Sequence, residues 1–261
     1  MRNRFQWPGG FKCAVSLTFD DGLPSQLKVA VPLLDRYGVK ATFYVNPYGG
    51  DWAERLKPWR RVSEEGHEIG NHTLSHPCSC NYPFSAGRCL EEMTLEEIEA
   101  DILEAQRRLE AVAAGGRVET FAYPCYESYV GRGAGRRSYV PVVARHFLAA
   151  RGGGDPPWSN DPLLCDLHYL WSWPADKLTL AEMVGLVEMA AAQGRWAIFT
   201  FHGVGGDYLQ VEEGDLRALL EYLEGRGDAW VAPVAQVAAY VAGRRRELGV
   251  EGARRAAAGS E

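Results

Sequence analysis

Cys13-Ala14-Val15-Ser16-Leu17-Thr18-Phe19-Asp20-Asp21-Gly22 begins as an apolar run and ends on two carboxylates and a glycine. The run from Cys13 to Phe19 has the length and the side chains of a buried strand, so Asp20 and Asp21 sit where a strand gives way to a loop. Further along, His72-Thr73-Leu74-Ser75-His76 supplies two imidazoles four positions apart. Taken singly, Asp-Asp-Gly is a turn former and a histidine pair is a packing feature. Together they offer the two-nitrogen, one-oxygen ligand set of an open catalytic metal site.

Outward from this stretch, apolar strands alternate with amphipathic helices, which argues for a parallel sheet with helical crossovers. Strands are expected at Cys13 to Phe19, Ala41 to Asn46, Glu68 to His72, Glu119 to Tyr123, Phe147 to Arg151, Trp196 to His202 and Trp230 to Ala232. Between them Leu95, Ile98, Ile102, Ala105, Leu109 and Val112 recur at helical steps. Thr94 with Glu97, and Thr179 with Glu182, read as capping boxes that open two helices. Glycines after Tyr37 and Gln193, and the pair Gly115-Gly116, fall where helices end.

With 261 residues, 46% of them hydrophobic, the chain is long enough for one large α/β domain. We read residues 1–243 as a single catalytic domain and 244–261 as an arginine-rich, solvated tail. A net charge of −6 gives no field that would steer the protein to nucleic acid or an anionic membrane, and favours neutral or cationic substrates. The first ten residues lack the apolar core of a signal peptide, and nowhere do apolar residues run long enough to span a bilayer, so a cytoplasmic protein is expected. On that basis the six cysteines are expected as reduced, packed thiols. The main rival is a disulfide from Cys80 to Cys89 or from Cys78 to Cys89. Gly131-Arg132-Gly133-Ala134-Gly135-Arg136-Arg137 reads as a surface loop without a catalytic role.

If the strands close on themselves, their carboxyl ends converge on one rim, where barrel folds keep their chemistry. Asp20, Asp21, His72, the Tyr123-Pro124-Cys125 segment, Arg151 and His202 all fall at such ends. A divalent cation held by one carboxylate and two imidazoles acidifies water and polarises a carbonyl. A carboxylate beside it can take a proton and an imidazole opposite can give one, roles that suit Asp20 and His202. His72 and His76 would face the same way if Thr73 to His76 turns helically. His67, His146 and His168 carry no such context and are read as core or surface histidines.

Thr18-Phe19-Asp20-Asp21-Gly22, His72-Thr73-Leu74-Ser75-His76 and the late strand ending in His202 resemble the polysaccharide deacetylases of carbohydrate esterase family four, over roughly Val15 to His202. The resemblance implies a distorted (β/α) barrel of about seven parallel strands and metal-dependent removal of N-acetyl or O-acetyl groups from an amino sugar, oligosaccharide or polysaccharide. It matches Asp20 to the general base, Asp21, His72 and His76 to the ligands of a divalent metal, and His202 to the general acid. The metal is most often Zn2+, with Co2+, Ni2+ or Fe2+ as alternatives. The backbone N–H of Cys125, or of Tyr126, matches the oxyanion donor. In Ala122-Tyr123-Pro124-Cys125 an alanine stands where the family carries an arginine that holds the catalytic aspartate, and Arg151 is the expected replacement. Trp158, Trp171 and Trp173 lie where the family places an aromatic wall of the acetyl pocket, with Trp171 chosen as the substrate contact; Asp161 and Asp166 are both candidates to tune His202. A small cyclic amide is the alternative substrate, and a binding protein without turnover the alternative class.

Overall fold

A computed structural model describes residues 5–85 and 89–250 of the chain. The first half runs β1 (Cys13–Asp20), α1 (Val31–Arg36), β2 (Thr42–Val45), α2 (Trp52–Arg55), α3 (Lys57–Glu64), β3 (Glu68–Asn71), α4 (Leu95–Glu110) and β4 (Thr120–Ala122). The second runs β5 (Tyr129–Val130), β6 (Arg137–Ser138), α5 (Val140–His146), β7 (Ala149–Arg151), β8 (Trp173–Pro174), α6 (Leu180–Gln193), β9 (Trp196–Phe201), α7 (Glu213–Arg226), β10 (Ala229–Val231) and α8 (Val234–Glu247). All seven expected strands are present. An eighth, β8, is two residues long and carries a proline, too short for periodicity to reveal. The strand order is β7-β4-β3-β2-β1-β9-β8 with every pairing parallel, and the two ends of the curled sheet meet through a bridge between Arg151 and Leu170. This is the distorted (β/α) barrel that was expected.

β1 is buried at every position because both of its faces are covered. Val15, Leu17 and Phe19 join a hydrophobic cluster with Leu33 and Leu34 of α1, Val187 of α6 and Leu219 and Leu220 of α7. Alternate residues turn the other way, as strand periodicity requires. There Ser16 donates to the carbonyl of Ala232 at 2.8 Å and Thr18 to that of Phe199 at 2.8 Å, and Asp20 meets Arg151. The inner column of the barrel is therefore hydrogen-bonded rather than oily. β9 pairs along one edge of β1 from Ala14 to Phe19, while the other edge is shared, β10 taking Cys13 to Val15 and β2 taking Thr18 to Asp20.

Both capping boxes form: Thr94 caps α4 and Thr179 caps α6, which ends on Gly194 at φ 69°. Gly115 and Gly116 are not the end of α4, which stops at Glu110, but belong to a separate single turn. The glycine-rich stretch expected as a loop is the turn of an antiparallel ribbon between β5 and β6. The boundary expected at residue 243 falls inside α8, whose Arg245 is 7% exposed and donates to the carbonyls of Pro162 and Cys165. Arg245 is thus a packing residue rather than part of a solvated tail; Arg254 and Arg255 lie outside the described residues.

The thiols are not all reduced. Cys80 pairs with Cys89, one of the two expected rivals, and Cys78 pairs with Cys125, a link that sequence spacing did not suggest across 47 residues. Cys13 and Cys165 remain free thiols.

Candidate active site

Because the strands are parallel, their carboxyl ends open on one rim, and the side chains expected there meet. Asp21 Oδ1 lies 3.4 Å from His72 Nε2 and 3.3 Å from His76 Nε2, with His202 Nε2 3.8 Å from the other carboxylate oxygen. Asp20 stands alongside, its Oδ2 3.8 Å from His72 Nε2. The other oxygen of Asp20 accepts from Arg151 Nη2, and this guanidinium is fully buried. Arg151 is the cross-strand partner of Ala122. The cation missing from position 122 therefore arrives from the neighbouring strand at the same level of the barrel.

The histidine pair does not converge through a helical turn. Thr73 and His76 adopt left-handed conformations, φ 64° and 50°, in an irregular loop. That loop is fastened from several sides. Asn71 Oδ1 accepts from the Thr73 N–H, Asn46 donates to the carbonyls of His72 and Thr73, and Thr73 Oγ1 accepts from the His76 N–H. Asp101, buried on α4, accepts from the N–H groups of Leu74 and Ser75 at 2.7 and 3.1 Å and from the Ser75 hydroxyl. Sequence reading passed over Asp101, although an acid between Ile98, Ile102 and Ala105 on an apolar helix face was the available signal.

His72 Nδ1 lies 2.8 Å from the carbonyl of Ala122, which can only accept, so Nδ1 carries the proton and Nε2 presents a lone pair toward Asp21. Burial, reinforced by the neighbouring His72, depresses His76 to about 4, keeping it a neutral donor. Burial also disfavours charge on His72, but the carboxylates of Asp20 and Asp21 outweigh it and raise that group. For Asp21 burial acts upward, and the close approach of His72 with the other nearby imidazoles overcomes it, holding the carboxyl far below the usual range. One carboxylate and two imidazoles with ligand atoms within 4.8 Å of one another match in number and type what a divalent cation requires.

Three further side chains were not anticipated. Gln26, in a π-helical turn from Gln26 to Ala30, donates to the carbonyls of Asp20 and His202 and so ties the ends of β1 and β9 together. Tyr208 donates to Asp21 Oδ2 at 2.8 Å from the loop after His202. Cys78, bonded to Cys125, has its sulfur 3.6 Å from His76 Nδ1. Cys125 and Tyr126 are both left-handed, φ 53° and 61°. The Tyr126 N–H is committed to the carbonyl of Tyr123 at 3.0 Å. Strained non-glycine residues concentrate around this rim, as is common where backbone is held for function.

Other expectations are corrected. Trp173 is buried against Phe199, and Trp158 and Trp171 line a separate cleft rather than the rim. Asp161 and Asp166 also line that cleft, so neither tunes His202, whose buried Nδ1 has no hydrogen-bond partner among the described residues. His67 bonds Asp35 and the Ala41 N–H, His146 bonds Glu99, and His168 approaches the carbonyl of Phe147, all as structural histidines.

A curled parallel barrel with an aspartate and two histidines at its rim is the arrangement against which the chain's similarities to known proteins can be set. The polysaccharide deacetylase family model matches residues 11–130, a match that supports kinship with that family. It is 35% identical over 97 residues to a chitin deacetylase of Arthroderma benhamiae, covering 36% of this chain and 25% of the relative. Against a chitooligosaccharide deacetylase of Azorhizobium caulinodans it is 34% identical over 112 residues, covering 42% and 47%. The matches thus span less than half the length of these curated relatives. A crystal structure from Mycobacterium smegmatis of a protein assigned to the polysaccharide deacetylases superposes with a TM-score of 0.66 at 19% identity, covering 92% of this chain and 94% of that one.

Proposed function

We propose that the protein is a metal-dependent deacetylase that removes N-acetyl groups from an amino-sugar oligosaccharide or polysaccharide. The observation that carries this reading is the meeting of Asp21, His72 and His76 beside an Asp20 that Arg151 clamps. Those three side chains would hold a divalent cation, Zn2+ being the first candidate. When bound, the cation supplies Lewis acidity toward the acetyl carbonyl and acidifies water.

The chain's own groups divide the remaining work. Arg151 occupies one oxygen of Asp20, so the other, on the His72 side, is left to take a proton from the attacking water. His202, whose Nε2 lies 3.8 Å from Asp21 Oδ2, gives a proton to the departing amine. The Cys125 N–H faces the developing oxyanion, a role that needs backbone geometry rather than a side chain. Gln26 keeps base and acid at a fixed separation by bonding both backbones. The two disulfides favour an oxidising compartment over the cytoplasmic placement expected from sequence. No helix among the described residues is long and apolar enough to cross a membrane.

The test is acetate release from N-acetylglucosamine oligomers, run beside ring opening of cyclic ureides and repeated after chelation. Acetate release that chelation abolishes and added Zn2+ restores supports the reading. Ring opening without acetate release, or deacetylation indifferent to chelator, overturns it.

A further inference from the structure

Of the eight tryptophans in the chain, the two most exposed, Trp158 at 55% and Trp171 at 39%, line one cleft of about 950 Å3. It runs between the β5–β6 ribbon, which contributes Tyr129, and the segment carrying Asp161 and Asp166. None of Asp20, Asp21, His72, His76 or His202 lines it. Exposed indoles gathered in one concave site are unusual for a folded surface and mark a place where something binds.

The cleft is built rather than incidental. Asn160 accepts from the Trp171 N–H and donates to the Trp171 carbonyl, both at 2.8 Å, which fixes that residue in place. A continuous strip also joins it to the rim. A Cβ on Gly152 would lie 2.7 Å from the Tyr169 ring, one on Gly153 2.9 Å from Tyr126, and one on Gly154 2.5 Å from Trp171. The glycine run that follows Arg151 is therefore bare because aromatic rings lie directly on its backbone, and they lead from Tyr126, beside Arg151, to the tryptophans.

We propose that this cleft is a second saccharide-binding site, taking a chain of amino-sugar units. Flat indole faces stack on the C–H faces of pyranose rings. Asp161 and Asp166 each commit one oxygen to a backbone N–H two residues on, and the Asp166 side chain is 60% exposed. The cleft's lining also holds Arg195, whose Nη1 donates to the carbonyl of Ser159 at 3.0 Å, so two carboxylates face one cation, a balance that suits hydroxyls and the ammonium groups of units already deacetylated over anionic ligands. The identity of the sugar rests on the proposed function; the existence of the site does not.

Full-length His72→Ala protein, treated with chelator to prevent turnover, is titrated with glucosamine and N-acetylglucosamine tetramers while tryptophan fluorescence and heat are followed. Saturable binding that prefers the glucosamine tetramer is expected, weakened at least tenfold by Trp158→Ala with unchanged melting temperature. Trp171→Ala is a second variant with the same expected direction. Absent binding, or binding that both tryptophan variants leave unaltered, overturns the proposal, as does a stronger response to anionic oligosaccharides. Acetate release by the wild-type chain is scored separately, so binding without turnover defeats only the deacetylase reading, and turnover without binding here defeats only the second site.

Discussion

At the scale of single residues, the site depends on a buried ion pair. Arg151 is 0% exposed and Asp20 is 3% exposed, and breaking such a pair from one side strands the other charge at a cost of about 3–5 kcal/mol. Arg151→Ala is therefore expected to lower kcat by about 100-fold, the range for losing a positioned base, and to lower the melting temperature. Arg151→Lys should recover part of both, since an ammonium restores the charge but not the planar fork. Unchanged acetate release by Arg151→Ala would remove the residue from the mechanism. Asp20, Asp21, His72 and His202 were legible because each stands at or just past a strand end, and His76 because it completes a short motif with His72. Arg151 was legible as the polar end of its strand and as the replacement for the arginine missing at Ala122, and register explains why it can serve: the two positions are paired partners on β4 and β7. Gln26 and Tyr208 were not legible, since their partners are backbone carbonyls and a carboxylate from other segments; Asp101 was legible only as an acid on the apolar face of α4.

Among the elements, the loops matter more than the strands they follow. The Cys78–Cys125 disulfide joins the loop that carries His76 to the loop that offers the Cys125 N–H, and both contain left-handed non-glycine residues that would relax without restraint. Replacing both cysteines, Cys78→Ala with Cys125→Ala, is expected to cut kcat about tenfold or more, as small misplacements of catalytic groups do. The matching Cys80→Ala with Cys89→Ala variant should leave kcat within about twofold by the same positional reasoning, because that link closes a loop that supplies no expected catalytic group. Equal effects of the two pairs on kcat would deny the first any special role. Strands and capped helices were readable because periodicity and caps are local. The disulfide partner of Cys78, the ribbon between β5 and β6, and the non-helical path from His72 to His76 depend on tertiary closure, which no local pattern encodes.

Over the whole molecule, curvature of the parallel sheet brings five separate strand ends, those of β1, β3, β4, β7 and β9, to one rim, and a hydrogen-bonded interior supports them from below. Gly70 is one cause. On β3 it pairs with Tyr44 of β2, whose ring lies where a Cβ on Gly70 would be and 5.0 Å from the Arg151 guanidinium. Gly70→Ala is expected to displace that ring and destabilise the fold by about 1–3 kcal/mol, as overpacking does, which denaturant titration can measure; a change below about 0.5 kcal/mol would show that the interior accommodates a methyl group. The parallel barrel was foreseeable from alternating strands and helices, whereas the placement of the exposed tryptophans in a separate cleft was not, because sequence order does not say which flank a loop covers. The central claim, one cation held by Asp21, His72 and His76 with Asp20 and His202 beside it, is tested most directly by calorimetric titration of the chelated protein with Zn2+. The account predicts one tight site that Asp21→Ala, His72→Ala and His76→Ala each remove while Asp20→Asn and His202→Ala retain it; undiminished binding in the first three variants would contradict it.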